Sequence, residues 1–234
     1  MPKAVWLVAT KCTDPAREEE FNRWYDGTHL PDLLSVPHIT AARRFKLSGP
    51  ANPKEPDAQY LAIYEIDSET PEAVTNTALQ EHDPKWRAAG RMIDCIQASS
   101  LTTFRQIGKH ADSTNTAKAV FLVKTACADP ARDAEFNRWY DDVHIPDVTS
   151  VPGVIRAQRY KLAGQPSKTE PEAQYLAVYE LDTDDTKTVS RAIGAKMPEW
   201  TAAGRVIDCL KVVSAVSFVA AGARQQAKAA AAGD

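Results

Sequence analysis

Two histidines occur in one repeated phrase. His29 follows Tyr25-Asp26 and precedes Pro31-Asp32, and His144 follows Tyr140-Asp141 and precedes Pro146-Asp147. Imidazole titrates near neutrality, so it can take and return a proton at physiological pH. Phe21, Trp24 and Tyr25 sit at i, i+3 and i+4, one apolar stripe of a helix. Pro31 is expected to stop that helix around Thr28–His29. A histidine at a helix end meets the negative pole, which raises its pKa. Asp26 or Asp32 would hold one ring nitrogen and leave the other for a substrate proton. The same position also suits a histidine that only caps the last carbonyls. Both readings stand for His29 and for His144.

Other groups join them as candidates. His38 opens the next strand after a short turn, so its ring is expected to approach His29. Tyr60 and Tyr64 share one face of a later strand, where a phenol can donate to a carbonyl. Arg44 either steadies a carboxylate or enolate oxygen or pairs with Glu65 across the sheet. Trp6, Trp24, Phe45 and His82 are the candidate substrate-binding residues, the aromatic ones forming either a pocket lining or a plain core. The candidate catalytic set is therefore His29, His38, Tyr60, Tyr64, Arg44 and His144. His110 falls in a linker and carries no expected role.

Nearly everything in this list has a twin. Lys3-Ala-Val-Trp6-Leu-Val returns as Lys118-Ala-Val-Phe121-Leu-Val, 115 positions later, and that offset holds through Glu65 and Glu180. It falls to 114 by Trp86 and Trp200, so one residue was lost between. A period this long is a small domain, too long for a solenoid unit. The symmetry breaks at three polar positions of interest: His38 becomes Gly153, His82 becomes Lys196 and Arg43 becomes Gln158. Any reaction centre is therefore expected in the first half.

The elements that must position these groups read as β-α-β-β-α-β in each copy. Strands are expected over residues 3–11, 39–47, 59–66 and 94–104. Asp14-Pro15 opens the first helix and Thr70-Pro71-Glu72 the second. The expected organisation is a first ferredoxin-like repeat over 1–106, a linker over 107–117, a second repeat over 118–221 and a flexible Ala-rich tail over 222–234. One such sheet leaves a face uncovered. The expected fold is α+β: two tandem ferredoxin-like βαββαβ repeats whose antiparallel sheets pack face to face as an intramolecular α+β barrel.

The phrase Phe-Asn-Arg-Trp-Tyr-Asp-x-x-His-Ile/Leu-Pro-Asp, followed by Val-Pro-x-x-x-x-x-Arg-Phe/Tyr, resembles the dimeric α+β barrel superfamily, and within it the EthD-like branch. The resemblance covers roughly residues 3–106 and 118–219. That superfamily includes cofactor-free quinone-forming monooxygenases, muconolactone isomerases, polyketide cyclases, dehydratases and haem enzymes. It implies a pocket between sheet and helices and a histidine base. Fold alone does not choose among those activities. The resemblance supports a cofactor-independent enzyme acting on a small hydrophobic, aromatic or polyketide-like molecule. The alternative is a non-catalytic small-molecule-binding or stress-related barrel.

Bulk properties narrow the partners. Net charge is -3, charged residues are 25% and hydrophobic residues 44%, so nothing favours nucleic acid or an anionic membrane. No apolar run reaches the length of a membrane span, and the start lacks a signal-peptide layout. A cytoplasmic protein is expected, as a monomeric pseudo-dimer or a homodimer. Cys12, Cys95, Cys127 and Cys209 are twins without CxxC spacing, which reads as reduced thiols rather than a zinc site. There is no Walker loop, GxGxxG, HExxH or GxSxG, and no local feature singles out an axial haem histidine. No cofactor or metal is expected.

Overall fold

The computed structural model describes residues 3–49, 58–108, 117–164 and 173–228. The first repeat contributes β1 (Ala4–Cys12), β2 (Ile39–Leu47), β3 (Tyr60–Ile66) and β4 (Ile96–Ile107). The second contributes β5 (Ala119–Cys127), β6 (Val154–Ala163), β7 (Tyr175–Leu181) and β8 (Leu210–Ala220). Strand order runs β3-β1-β4-β6-β7-β5-β8-β2, and β2 pairs back onto β3. The sheets therefore face each other, as expected, and also join at both edges into a closed eight-stranded antiparallel barrel. The seams between repeats are β4–β6, from Thr103↔Ala163 to Ile107↔Arg159, and β2–β8, from Phe45↔Ala220 to Leu47↔Phe218.

Side-chain alternation sorts the apolar residues into layers. Val5, Leu7, Phe45, Leu61 and Phe104 meet Val120, Leu122, Tyr160, Leu176, Val178 and Phe218 inside the barrel. Eight strands leave an interior just wide enough for side chains to fill. Trp6, Val8, Tyr60, Ala62 and Tyr64 point outward and are covered by the first repeat's helices. A bulge between Ile39 and Ala41 breaks strict alternation in β2. It turns Ile39 to the helix side, although the sequence pattern groups it with Phe45.

The first helix does not stop before Pro31. It begins as α1 (Glu18–Trp24), passes through a π turn at Tyr25–His29 and continues as α2 (Leu30–Leu34). The Leu30 N–H reaches back five residues to the Tyr25 carbonyl. The extra residue in this turn shifts the carbonyls that the Pro31 ring would strike in a regular helix. The second repeat copies the arrangement: α5 (Asp133–Trp139), a π turn at Tyr140–His144, then α6 (Ile145–Thr149). His29 and His144 each end a π turn inside a helix, and neither stands at a helix C-terminus.

The remaining helices differ between repeats. The first has α3 (Pro71–Thr77), a third π turn at Ala78–His82 and α4 (Asp83–Ala88). The second has one regular helix, α7 (Thr186–Ala202). A π turn holds one residue more than an α turn, so the offset change from 115 to 114 is accounted for at Ala78–His82.

The tail expectation needs correction over residues 222–228. Gln225–Gln226 form β9, which pairs with Ala41 and Ala42 of β2. Arg224 binds Glu65 through two bonds of 2.7 Å, and Gln225 donates to the Asp26 carbonyl at 3.0 Å. Residues 229–234 and the linker residues 109–116, His110 among them, lie outside the described residues. No described helix is long and apolar enough to cross a membrane.

Candidate active site

A cleft of about 230 Å³ lies between the outer face of the first sheet and the helices that cover it. Trp6, Val8 and Thr10 of β1 form its floor, and Tyr25, His29 and Leu33 one wall. Asp83, Trp86 and Arg87 of α4 form the other wall. Leu79 and Leu101, both more than 40% exposed, border the opening. An exposed apolar rim of this kind suits an apolar ligand.

His29 is set by aromatic packing. Its ring stacks on Trp24 at 4.8 Å and meets Tyr25 and Trp86 edge-on at 4.9 and 6.3 Å. Burial lowers its pKa to about 4, against a smaller raising effect of Asp32 and Asp83. The expected elevation by a helix end is therefore reversed. The carboxylate partners are also engaged elsewhere: Asp26 binds Arg44 at 3.0 Å and Asp32 binds Arg91 through bonds of 2.9 and 2.6 Å. His29 Nδ1 and Thr10 Oγ1 are buried without a hydrogen-bond partner among the described residues. Buried polar atoms at the wall of a cavity are normally met by water or ligand. Tyr25 adds a phenol whose oxygen lies 3.3 Å from the Tyr64 oxygen. Burial raises both pKa values, so both phenols stay protonated.

The other sequence candidates divide. Trp6 lines the cleft, while Trp24 backs the His29 ring and fastens its indole N–H to the Arg91 carbonyl at 2.7 Å. Tyr64 supports Tyr25 from behind and packs on Trp6 at 5.4 Å. His82 reaches the cleft only through Trp86, against which its ring packs with centroids 5.5 Å apart. His144 occupies its own cleft, described below. Four candidates are not brought to the His29 cleft. His38 is exposed and does not approach His29, because the turn before β2 carries it outward. Phe45 faces the barrel interior. Tyr60 donates to Glu18 and accepts from Asn22 at 3.0 Å. Arg44 is 1% exposed, bound to Asp26 and to Asn22 Oδ1 at 2.7 Å, and sits over Tyr25 at 4.2 Å and Tyr60 at 4.9 Å. Its expected partner Glu65 binds Arg224, so Arg44 is a post that ties helix to sheet.

The second repeat has an equivalent cleft of about 210 Å³, lined by Phe121, Val123, Thr125, Tyr140, His144 and Val148. His144 stacks on Trp139 at 4.9 Å, and burial lowers its pKa too to about 4. The inner surroundings of the two histidines therefore match. The rims do not. Asp83 and Arg87 are ion-paired at 2.6 Å in the first cleft. Their twin positions, 114 further on, hold Met197, which lines the second cleft, and Thr201.

Sequence reading missed Thr10, Tyr25, Asp83, Trp86 and Arg87 as site residues. The comparison of twins that singled out His38 and His82 contained the signal for Asp83 and Arg87. Thr10 and Tyr25 gave none, since both recur as Thr125 and Tyr140 in positions that read as core. All four cysteines are buried and unpaired as disulfides. Among the described residues no group of three or more His, Cys, Asp or Glu is placed to hold a metal ion.

Sequence comparison finds no matching family model and no matching curated protein. Solved structures do match. An anthrone oxidase-like protein superposes with TM-score 0.60 at 11% identity, covering 99% of this chain and 97% of that one. A presumed monooxygenase from Fusobacterium nucleatum subsp. nucleatum gives 0.56 at 11%, covering 98% and 99%. A dye-decolorizing peroxidase from Bacteroides thetaiotaomicron gives 0.58 at 10%, covering 94% and 93%. At these identities the likeness shows the fold, a two-repeat ferredoxin-like α+β barrel.

Proposed function

We propose that the chain is a cofactor-independent oxygenase of the EthD-like branch that acts on a small aromatic or polyketide-like ketone in the His29 cleft. The observation that carries this reading is a buried imidazole, unpartnered at Nδ1, that shares with the Thr10 hydroxyl a cleft lined also by Trp6, Tyr25 and Trp86. His29 takes a proton from an activated carbon, and the C–H electrons move into the ring as an enolate. Oxygen adds to that carbon, and loss of water leaves a second carbonyl, so that a CH2 and O2 become a C=O and H2O. Thr10 or Tyr25 donates to the developing oxyanion.

A base whose pKa lies near 4 is unprotonated at neutral pH, so no prior deprotonation is needed. The proton it accepts is held because the enolate remains beside it in a site of low polarity. The similarity in fold to anthrone oxidase-like and monooxygenase structures supports the oxygenase type. The similarity to a peroxidase raises haem. A tetrapyrrole does not fit a cleft of about 230 Å³.

The test is oxygen uptake and quinone formation from anthrone, above the spontaneous rate. His29→Phe keeps an aromatic ring in the stack and is expected to lower turnover about 10²–10⁴-fold with the fold intact. Undiminished turnover in that variant removes His29 as the base. One observation favours a second reading, a binding protein: His144 reproduces the ring surroundings of His29, so the fold itself produces such a histidine. Binding of aromatic ketones without oxygen uptake would support it.

A further inference from the structure

We propose that Asp83 and Arg87 determine what the His29 cleft selects, and that the His144 cleft is a second binding site of different specificity. The first takes an aromatic ring whose exposed edge carries adjacent oxygens, at least one of them a hydroxyl. The second takes an aromatic lacking them. This deepens the reading above, because it concerns the ligand of the same cleft.

The duplication supplies the comparison. Floor and inner wall agree at Val8 and Val123, Thr10 and Thr125, Tyr25 and Tyr140, and His29 and His144, and differ only by apolar exchanges, Phe121 for Trp6 and Val148 for Leu33. The difference in charge lies on the outer helix. α4 follows a π turn and presents an acid and a base one helical turn apart, whereas α7 is regular and presents Ile193 and Met197. Arg87 donates to Asp83 at 2.6 Å, with the two side chains 59% and 25% exposed. Exposed pairs of this spacing hold weakly. The pair opens readily to a ligand edge, Asp83 accepting from a hydroxyl and Arg87 donating to the neighbouring oxygen. Both groups also act electrostatically on His29, in opposite directions. A bound polar edge is thus sensed at the proposed base. The second cleft has no charged lining residue. An oxygen-bearing edge there would lose water without gaining a partner.

The experiment titrates the full chain with 2,3-dihydroxynaphthalene and with naphthalene. It follows the ring 1H–13C signals of His29 and His144 among the five histidines, assigned with His29→Phe and His144→Phe. The diol is expected to shift the His29 signal at about 10-fold or more lower concentration than naphthalene does. Naphthalene is expected to shift the His144 signal at the lower concentration. Asp83→Met with Arg87→Thr installs the residues of the twin positions and should abolish the diol preference at His29 while leaving His144 unchanged. Arg87→Lys, which keeps the charge and loses the planar fork, should retain part of it. The proposal is overturned if the double variant keeps the preference, or if both clefts rank the two probes alike. Binding alone is read, so lost turnover in His29→Phe, beside a diol preference at His29 that Asp83→Met with Arg87→Thr abolishes, separates the base from the specificity pair. An altered preference without any turnover sinks only the oxygenase reading.

Discussion

The indole of Trp24 and the imidazole of His29 stack with centroids 4.8 Å apart and planes 22° from parallel. Trp139 and His144 repeat this at 4.9 Å and 24°. The two partners lie five residues apart, and the π turn between them allows the contact. The stack withholds water from the ring and keeps it neutral. A helix-end histidine held by Asp32 would have been cationic. The inversion decides what chemistry the residue can do: it accepts a proton and has none to give.

Acid sensitivity follows directly. Both histidines have folded pKa values near 4, against an ordinary unfolded value near 6.5. Between those limits the unfolded chain binds more protons, so stability falls as pH falls through that window. By pH 5 each histidine contributes a loss of about 2 kcal/mol relative to pH 7.5. Urea denaturation at pH 7.5, 6 and 5 measures it. His29→Phe with His144→Phe should flatten the decline, whereas losses from carboxylates begin lower and persist in the variant. An equal slope in both proteins would show that the rings are not neutral when folded.

Arg44 is expected to matter for folding and not for the ligand. It is enclosed by Tyr25, Tyr60 and Phe21 and binds Asp26 and Asn22. Arg44→Met removes a buried cation and leaves Asp26 unpaired. Asp26 is 39% exposed, so water recovers part of the loss. The expected cost is about 2–4 kcal/mol. Arg44→Lys should cost nearly as much, because an ammonium cannot span Asp26 and Asn22 together. The affinity of 2,3-dihydroxynaphthalene for the folded fraction should stay the same. A selective loss of affinity would return Arg44 to the site.

The architecture was legible because alternation and duplication are both periodic signals. That Phe45 and Arg44 face opposite sides of the sheet follows from the strand period; that Phe45 is the inward one does not, and the sequence expectation places it in the pocket. The site was less legible because its geometry rests on departures from period. The π turn carries the helix past Pro31 and moves His29 from an end to an interior, and the bulge at Ile39–Ala41 turns one strand residue over. Neither has a composition signature. Partner choice was hidden for another reason: Glu65, beside Arg44's strand, is taken by Arg224 from the far end of the chain.

That bond makes the next prediction. Arg224 and Glu65 are each 16% exposed and joined by two bonds of 2.7 Å, and β9 follows directly. Arg224→Met leaves a largely covered carboxylate without its partner. The expected loss is about 1–2 kcal/mol, between the values for exposed and buried pairs. Glu65→Gln with Arg224→Met should recover part of it, since the stranded charge is gone. Thermal unfolding of the two variants distinguishes a bond that secures the tail from one that merely lies on the surface.

His38 offers a test of backbone strain with its own internal reference. Its φ is +71°, while its twin Gly153 has φ +93°. A side chain in this region costs about 1 kcal/mol, and glycine avoids the cost. The His38 ring is exposed and its carbonyl accepts from Asp67 in either case. His38→Gly should therefore raise stability by about 0.5–1 kcal/mol with turnover unchanged. The reverse exchange is not symmetrical. A Cβ at Gly153 would stand 2.8 Å from Val189 Cγ2, a buried side chain that anchors α7 to the sheet. Gly153→Ala adds that clash to the backbone strain and should cost about 2–3 kcal/mol. If His38→Gly instead lowers turnover, the ring has a role that its place on the surface does not suggest. Calorimetry and oxygen uptake on the same two variants settle both halves of the comparison.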